Sequence, residues 1–285
     1  MIENVHYRIL FLAMSCNDPF FVDSRRVTHD TWAKDIILGK YPNVGFFTYT
    51  ASETGEEYIE DNTIYLNCGD GLKDTWDKTM KCLKYLENHN ITYDYIVRTN
   101  TSNYFNVYLF LPKIRQFDKF NIDVEAYGIN YEDEDSHKKK NQYAVFTGYY
   151  LLMSNKFTEG LKWFYDNQYK DINNKEDGWG IDDIVISWYI FATSYKTDGT
   201  KTNTWVTNLL NPLNLIRYKV ISNNKLLLEK NPDNSPFISL RDPQIVNACP
   251  IINYRYRPVV QGKDNRYIEL EHVYELHDSN QFKIY

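Results

Sequence analysis

The sequence has few of the features that mark specialised classes of protein. No apolar run approaches the ~20 residues of a membrane span. The first apolar stretch, residues 9–14, is too short for the core of a signal peptide. The four cysteines form no CxxC pair, so neither a zinc site nor a dense disulfide framework is indicated. We therefore expect a soluble, cytoplasmic chain with reduced thiols and without a transmembrane segment.

An excess of charge of one sign is also missing. The chain has 32 Lys and Arg against 38 Asp and Glu, a net charge of −6. Because nucleic-acid binding depends on basic side chains that neutralise phosphates, we expect no nucleic-acid partner. P-loop, GxGxxG, HExxH and GxSxG motifs are absent as well. What is present is a globular composition, 43% hydrophobic, with 25 tyrosines whose flat faces suit sugars as well as ordinary packing.

The hydrophobic pattern predicts an α/β fold in one domain. Up to about residue 117, apolar runs and amphipathic stretches follow the order β-α-β-β-α-β-α, which is typical of an open, mostly parallel sheet. The predicted strands in this part are residues 7–15, 43–49, 63–66 and 93–98. The predicted helices are residues 24–38, with Ser24 as the cap, 72–86 and 107–117. Further along, extended segments are predicted at 124–129 and 143–153, and helices at 158–169 and 182–191.

Three segments carry candidate functional residues. Residues 94–102 form a buried strand that ends in small polar side chains, and ligands of open α/β sheets bind outside the carboxyl ends of strands. Asp182 and Asp183 stand at a predicted helix start, behind the glycine-bracketed Trp179. Arg25 follows the first strand, where an arginine near a helix N-terminus could hold a phosphate. The structural alternatives are a plain turn, a helix cap and a surface arginine.

Taken in order, these segments resemble the β-1,3-galactosyltransferase and Fringe family of glycosyltransferases. Residues 25–32 keep the first Arg and the Thr-Trp of its Arg-x-x-x-Arg-x-Thr-Trp block, with His29 at the second Arg. Residues 70–79 are similar to its Asp, spacer and Lys-Thr helix. Residues 98–106 align with its Lys-x-Asp-Asp-Asp-x-Phe-x-Asn block, but all three Asp are replaced. The replacements are Asn100, Thr101 and Ser102.

Two further blocks complete the resemblance. Residues 148–154 are similar to a Gly-rich strand that ends in Leu-Ser, and residues 182–184 to a Glu-Asp-Val at a helix start. The match covers about residues 7–190. It implies a nucleotide-sugar-transferase fold of the GT-A type in a single domain, 1–285. Residues 1–110 would be its nucleotide-sugar-binding half, 111–195 its acceptor and catalytic half, and 196–285 a C-terminal extension.

The resemblance implies transfer of a sugar from a UDP-linked donor to a glycan hydroxyl, with inversion. Asp183 would be the catalytic base, with Asp182 as the fallback. The implied donor-binding residues are Ser15, Arg25, Asp70, Lys78, Arg98, Asn100, Thr101 and Ser102. The implied acceptor-binding residues are Gly148, Tyr149 and Trp179. Arg255 and Arg257 would offset the charge of the leaving diphosphate.

Two departures from the family change these expectations. The family usually carries a membrane anchor, so we expect a viral or bacterial type of member, with a trimmed lumenal protein as the alternative. Asn and Ser are weaker ligands for hard cations than the Asp residues they replace. We therefore predict no metal site and no tightly bound cofactor, and leave a requirement for Mn²⁺ or Mg²⁺ open. A catalytically inactive relative that binds glycans or nucleotide sugars is the second hypothesis, and an unrelated α/β nucleotide-binding enzyme is the third.

Overall fold

The computed structural model describes residues 4–120, 123–131, 143–169, 180–194 and 218–222, with scattered residues between 253 and 277. The strands are β1 (Val5–Met14), β2 (Val44–Ala51), β3 (Tyr58–Glu60), β4 (Thr63–Leu66), β5 (Ile91–Asn100), β6 (Asn103–Phe105), β7 (Val124–Tyr131), β8 (Tyr143–Ser154), β9 (Tyr218–Ser222), β10 (Asn253–Arg255), β11 (Val259–Val260) and β12 (Lys263–Asp264). The helices are α1 (Pro19–Asp30), α2 (Lys34–Ile37), α3 (Thr75–Asn88), α4 (Val107–Phe110), α5 (Ile114–Phe120), α6 (Asn155–Asn167) and α7 (Asp182–Ser194). Short 3₁₀ turns cover Leu72–Asp74 and Leu111–Lys113.

The described strands build one large mixed sheet in the order β3-β4-β2-β1-β5-β8-β7-β9. Strands β4, β2, β1 and β5 are parallel to one another, β9 is parallel to β7, and β3 and β8 are antiparallel to their neighbours. The prediction of an α/β fold with a mixed, mainly parallel central sheet is confirmed. The order reverses at β1, since β2 follows on one side and β5 lies on the other. Such a switch point is where open α/β sheets bind ligands.

Helices cover both faces of the sheet. Alternate residues of a strand point to opposite faces, and in β1 Phe11 joins one core while Leu12 joins the other. The core that contains Phe11 is shared with α1, α2, α4 and α5, and the core that contains Leu12 is shared with α3, α6 and α7. This arrangement brings the starts of α1, α3 and α7 to the region where β1 and β5 end.

The first helix differs from its prediction in where it begins and ends. Ser24 is not its cap, because α1 starts at Pro19 and Asp18 accepts a hydrogen bond from the backbone N–H of Phe20 at 3.0 Å. Proline in the first turn has no N–H to lose and favours this start. Ser24 lies fully buried inside the helix. The segment predicted as one helix breaks after Asp30 and resumes as the short α2.

The segment 107–117, predicted as one helix, is divided into α4, a 3₁₀ turn and α5. Pro112 lies in that turn, where its ring and missing N–H disfavour a continuous α-helix. The remaining predicted strands and helices of the described residues are confirmed, most of them with shifted ends. The strands that the sequence did not predict are β3, β6, β9, β10, β11 and β12, and four of these lie in the part after residue 194 that was expected to be poor in strands. The assignment of residues 1–285 to one domain stays a prediction, because most of 196–285 lies outside the described residues.

Three of the four cysteines lie in the described part of the chain. Cys16, Cys68 and Cys82 are free thiols there, in agreement with the expected absence of a disulfide framework. Burial raises the pKa of Cys68 to about 11, so this thiol is protonated at neutral pH. Within the same described residues, none of the helices combines the length and apolar character needed to cross a membrane.

Candidate functional site

The candidate site lies at the switch point, where β1 and β5 end side by side. The two strands are parallel, with Met14 opposite Asn100. Beyond the strands, the N–H of Thr101 donates to the carbonyl of Met14 at 3.1 Å. The loop that follows β1 and the turn that follows β5 are therefore held together. Both segments were predicted to bind the donor.

A buried lysine and an aspartate fix the loop that follows β1. The side chain of Lys78, on α3, is 1% exposed, donates to the carbonyl of Ser15 at 3.1 Å and forms an ion pair with Asp70. The other carboxylate oxygen of Asp70 accepts from the N–H of Asn17 at 2.6 Å. The predicted donor residues Ser15, Asp70 and Lys78 thus lie together at the end of β1. Their mutual contacts give the loop one defined shape.

A second ion pair joins the end of β5 to the start of α7. Arg98 Nη2 lies 2.6 Å from Asp182 Oδ2, and both side chains are 3% exposed. The same carboxylate oxygen accepts a hydrogen bond from Thr79 Oγ1 at 3.1 Å. Burial opposes the positive charge of Arg98, but the carboxylate of Asp182 raises the pKa of the guanidinium. Arg98 therefore stays charged inside the protein.

Asp183 has a different environment from its neighbour Asp182. It lies in the first turn of α7 and is only half-buried, whereas Asp182 is almost fully buried. Its Oδ1 accepts a hydrogen bond from the N–H of Ile184 at 2.9 Å. Of the two predicted carboxylates, Asp183 is the one that solvent and an incoming molecule can reach. Asp182 is instead an anchor for the helix start.

The turn that follows β5 contains buried hydroxyl groups. Thr101 and Ser102 are 3% and 2% exposed, and their side-chain oxygens have no hydrogen-bond partner in the described part of the chain. Ser24 Oγ, on α1, is in the same situation, and Thr28 on that helix donates to the carbonyl of Thr101 at 2.9 Å. Buried polar atoms nearly always pair with protein, water or ligand atoms. These hydroxyls can therefore take part in hydrogen bonds with a bound molecule or with water.

Arg25 lies on the same side of the sheet, on α1. Its guanidinium carbon is 5.8 Å from the ring centre of Tyr65, and its buried Nη1 has no hydrogen-bond partner among the described residues. A positive charge with an unused donor suits an anionic group. One turn further on, the ring of His29 lies 3.3 Å from the hydroxyl of Thr48. Burial, and then the charge of Arg25, lower the pKa of His29 to about 4, so this residue is neutral at neutral pH.

His29 should make the protein less stable in mild acid. Its pKa in the folded chain, about 4, lies below the ordinary value of 6.5. Between these values the unfolded chain binds more protons, so stability falls as the pH falls from about 6.5 towards about 4. We expect His29→Gln to flatten this part of the profile, measured by urea unfolding at pH 7 and at pH 5. An unchanged difference in stability between the two pH values would contradict the assignment to His29.

The predicted acceptor and diphosphate residues are only partly described. Gly148 and Tyr149 lie on β8, where Leu151 is opposite Arg98, so the antiparallel strand places them near the carboxyl end of β5. Arg255 lies on β10 opposite Asn103. Asn103 directly follows the turn after β5, Thr101 and Ser102, which we call the donor turn. Trp179 and Arg257 lie outside the described residues.

The described side chains at the switch point include no cluster of potential metal ligands. The described residues contain no group of three or more His, Cys, Asp or Glu side chains that could hold a metal ion. The aligned positions Asn100, Thr101 and Ser102 carry neutral groups, and Arg98 donates a hydrogen bond to Asn100. Hard cations favour several carboxylate oxygens.

The sequence did not predict the ion pair of Arg98 with Asp182, or the hydrogen bond that Thr79 donates to the same carboxylate. An arginine in an otherwise buried strand was the available signal, because arginine is almost never fully buried unless it is paired. The identity of the partner could not be read from the chain, because α7 follows β5 only after three strands and three α-helices. Thr79 Oγ1 also lies 3.1 Å from the hydroxyl of Tyr49, so the pair sits in a larger buried polar network.

No protein-family model matches the sequence, and no curated protein matches it. Among solved structures, the chain is similar to a glycosyltransferase involved in the glycosylation of the major capsid of PBCV-1. The TM-score is 0.42 and the identity 12%, over 93% of this chain and 98% of that chain. It is also similar to 4-diphosphocytidyl-2C-methyl-D-erythritol synthase from Anaerococcus prevotii DSM 20548, with a TM-score of 0.40 and 11% identity over 76% and 87% of the chains. Both scores are low, so neither likeness decides the chemistry of this chain.

Proposed function

We propose that this protein is a glycosyltransferase of the GT-A type, which moves a sugar from a nucleotide sugar to an acceptor hydroxyl with inversion. The observation that carries the proposal is the position of Asp183. This reachable carboxylate lies in the first turn of α7, and the ion pair of Arg98 with Asp182 ties that turn to the end of β5, beside the end of β1. A candidate base and a candidate nucleotide site therefore meet at one edge of the sheet.

The donor would bind across the ends of β1 and β5. Asn100 and the hydroxyls of Thr101 and Ser102 offer hydrogen bonds to its ribose or phosphates. Arg25, with its unused Nη1, would offset part of the diphosphate charge. Ser15 belongs to the loop that Lys78 and Asp70 hold in place, so this loop would meet the donor in a fixed shape.

The reaction would be one direct displacement. Asp183 takes the proton of the acceptor hydroxyl while the hydroxyl oxygen attacks the anomeric carbon from the face opposite the diphosphate. The new C–O bond forms as the bond to the diphosphate breaks, and the nucleoside diphosphate leaves with the bonding electron pair. Positive side chains stabilise the charge that develops on this leaving group. Arg25 on α1 and Arg255 on β10 are the candidates among the described residues, and Arg257 is a candidate from the sequence.

The acceptor would lie on the Asp183 side of the donor. Gly148 and Tyr149 lie on β8 near the carboxyl end of β5, and Trp179 precedes in the sequence the helix that carries Asp183. Tyrosine and tryptophan present apolar faces on which sugar rings pack. A glycan or glycoconjugate hydroxyl is therefore the acceptor class that we propose.

The direct test is a screen of nucleotide sugars. We expect one class of donor, UDP-linked, to raise the melting temperature, since a ligand that binds only the folded state stabilises it by mass action. The same donor should release its nucleoside diphosphate when an acceptor glycan is added. A screen in which no nucleotide sugar shifts the melting temperature would contradict the proposal.

A second function is favoured by one observation, the neutral side chains at Asn100, Thr101 and Ser102. A catalytically inactive relative would bind a glycan or a nucleotide sugar without turnover. Binding of a donor with no release of diphosphate across a panel of acceptors would support this function. The reachable carboxylate of Asp183 favours the enzyme.

We expect binding and turnover to survive removal of divalent cations. The reason is that the described switch point offers amide and hydroxyl groups together with Lys78 and Arg98, rather than a cluster of carboxylates. The measurement is donor affinity and turnover in excess EDTA, compared with the same assay in added manganese. Complete loss of activity in EDTA that manganese restores would show that a metal is used.

A further inference from the structure

We propose that Arg98 is a positioning residue, whose two-armed guanidinium sets the distance between the donor turn and the catalytic base. This inference rests on the proposed function. It gives Arg98 a role different from the direct donor contact that the sequence implied. The relevant geometry is that one side chain contacts both halves of the candidate site.

The two arms of the guanidinium point to different partners. Nη1 donates to the side-chain oxygen of Asn100 at 3.0 Å, and Asn100 is the last residue of β5, directly before the donor turn. Nη2 binds the carboxylate of Asp182 at 2.6 Å, which is the residue before the candidate base Asp183. With 3% of its side chain exposed, Arg98 has little surface left for a substrate. It therefore acts on the reaction through its two protein partners.

Further contacts hold the start of α7 in place, so that Arg98 joins two rigid parts of the site. Thr79 Oγ1 donates to the same carboxylate of Asp182 at 3.1 Å, and the N–H of Asp182 donates to Thr75 Oγ1 at 3.1 Å. The N–H of Trp76 donates to the carbonyl of Gly180 at 3.0 Å. A Cβ atom on Gly180 would lie 1.8 Å from the carbonyl oxygen of Lys73, so the two backbones touch here. The helix start is held from α3 and from β5 together.

This arrangement explains why a charged pair is kept in a buried place. A buried ion pair is weak support for stability, since apolar residues of similar volume often replace it without loss. Its directed hydrogen bonds fix relative positions, however, in a way that apolar contacts do not. Lysine cannot substitute for arginine here, because its single ammonium lacks the planar fork that reaches two partners at fixed angles.

The test compares stability with turnover in three variants. Arg98→Lys keeps the charge, the double variant Arg98→Met with Asp182→Leu replaces the pair by apolar groups, and Lys162→Met is the control. Lys162 is 8% exposed and pairs with Glu87 and Glu159 away from the switch point. Melting temperature, kcat and the KM for the donor are measured for each variant, at a temperature where all are folded.

We expect kcat of Arg98→Lys and of the double variant to fall by about 10- to 100-fold, because small displacements of reacting groups cost this much. The double variant should recover most of the melting temperature, and its KM should change much less than kcat. Lys162→Met should lose stability and keep its kcat. A normal kcat in Arg98→Lys, or in a folded double variant, would overturn the positioning role alone. A wild-type chain that turns over no nucleotide sugar would overturn the proposed function, and this role with it.

Discussion

Replacing Asp183 with Asn should reduce turnover by about 10²- to 10⁴-fold, the usual loss when a positioned general base is removed. The amide keeps the shape of the side chain and cannot accept the proton of the acceptor hydroxyl. Donor affinity should hardly change, because the base serves the acceptor. The measurements are kcat with saturating donor and acceptor, and the dissociation constant of the donor.

The matched control is Asp23→Asn, since Asp23 lies in the first half of α1, is partly exposed and forms an ion pair with the exposed Arg26. It should keep a normal rate. Asp182→Asn provides the second comparison, because Asp182 is buried against Arg98 and should respond in stability as well as in rate. A normal rate in Asp183→Asn would place the base elsewhere and remove the central support for the proposed mechanism.

Replacing Trp76 with Ala should destabilise the protein by about 3–5 kcal/mol, the usual cost of removing a large buried aromatic side chain. Trp76 is fully buried on α3, and its ring lies 5.6 Å from that of Tyr169 and 6.4 Å from that of Phe164. Its removal would leave a cavity under the helix that also carries Lys78 and Thr79. The site should therefore lose order together with the core.

Urea unfolding measures this effect, with Trp163→Ala as the control. Trp163 is 37% exposed on α6, so its loss should cost under about 1 kcal/mol, as is usual for surface positions. Equal losses of stability in the two variants would show that α3 is not packed as described. The pair of variants separates removal of an indole from removal of a core residue, because both delete the same group.

Local patterns in the sequence were sufficient for the main elements of the fold. The run Thr63–Leu66 was predicted with its observed bounds, and β1, β2 and β5 differ from prediction only at their ends. Apolar runs and turn residues determine strands and helices over only a few neighbouring positions, so these elements can be predicted from a single sequence. The start of α1 was missed because Ser24 resembles a cap, whereas Asp18 and Pro19 make the actual one.

The position of the candidate site was also predictable in outline. Polar residues after buried strands indicated the carboxyl ends of β1 and β5, and the structure brings these ends together through the contact of Thr101 with Met14. The different roles of neighbouring site residues could not be predicted from the sequence. Asp182 and Asp183 are neighbours with the same chemistry, and only their burial distinguishes an anchor from a reachable base.

What the sequence determined by itself is the α/β class, the parallel core of the sheet and the edge where ligands would bind, because these follow from periodicity and turn chemistry. Tertiary structure alone decided which polar side chains meet. The hydroxyl of Thr79 and the carboxylate of Asp182 are 103 residues apart in the chain and 3.1 Å apart in space. The physical reason is that such a contact depends on how α3 and α7 pack on one face of the sheet, and no local pattern records that packing.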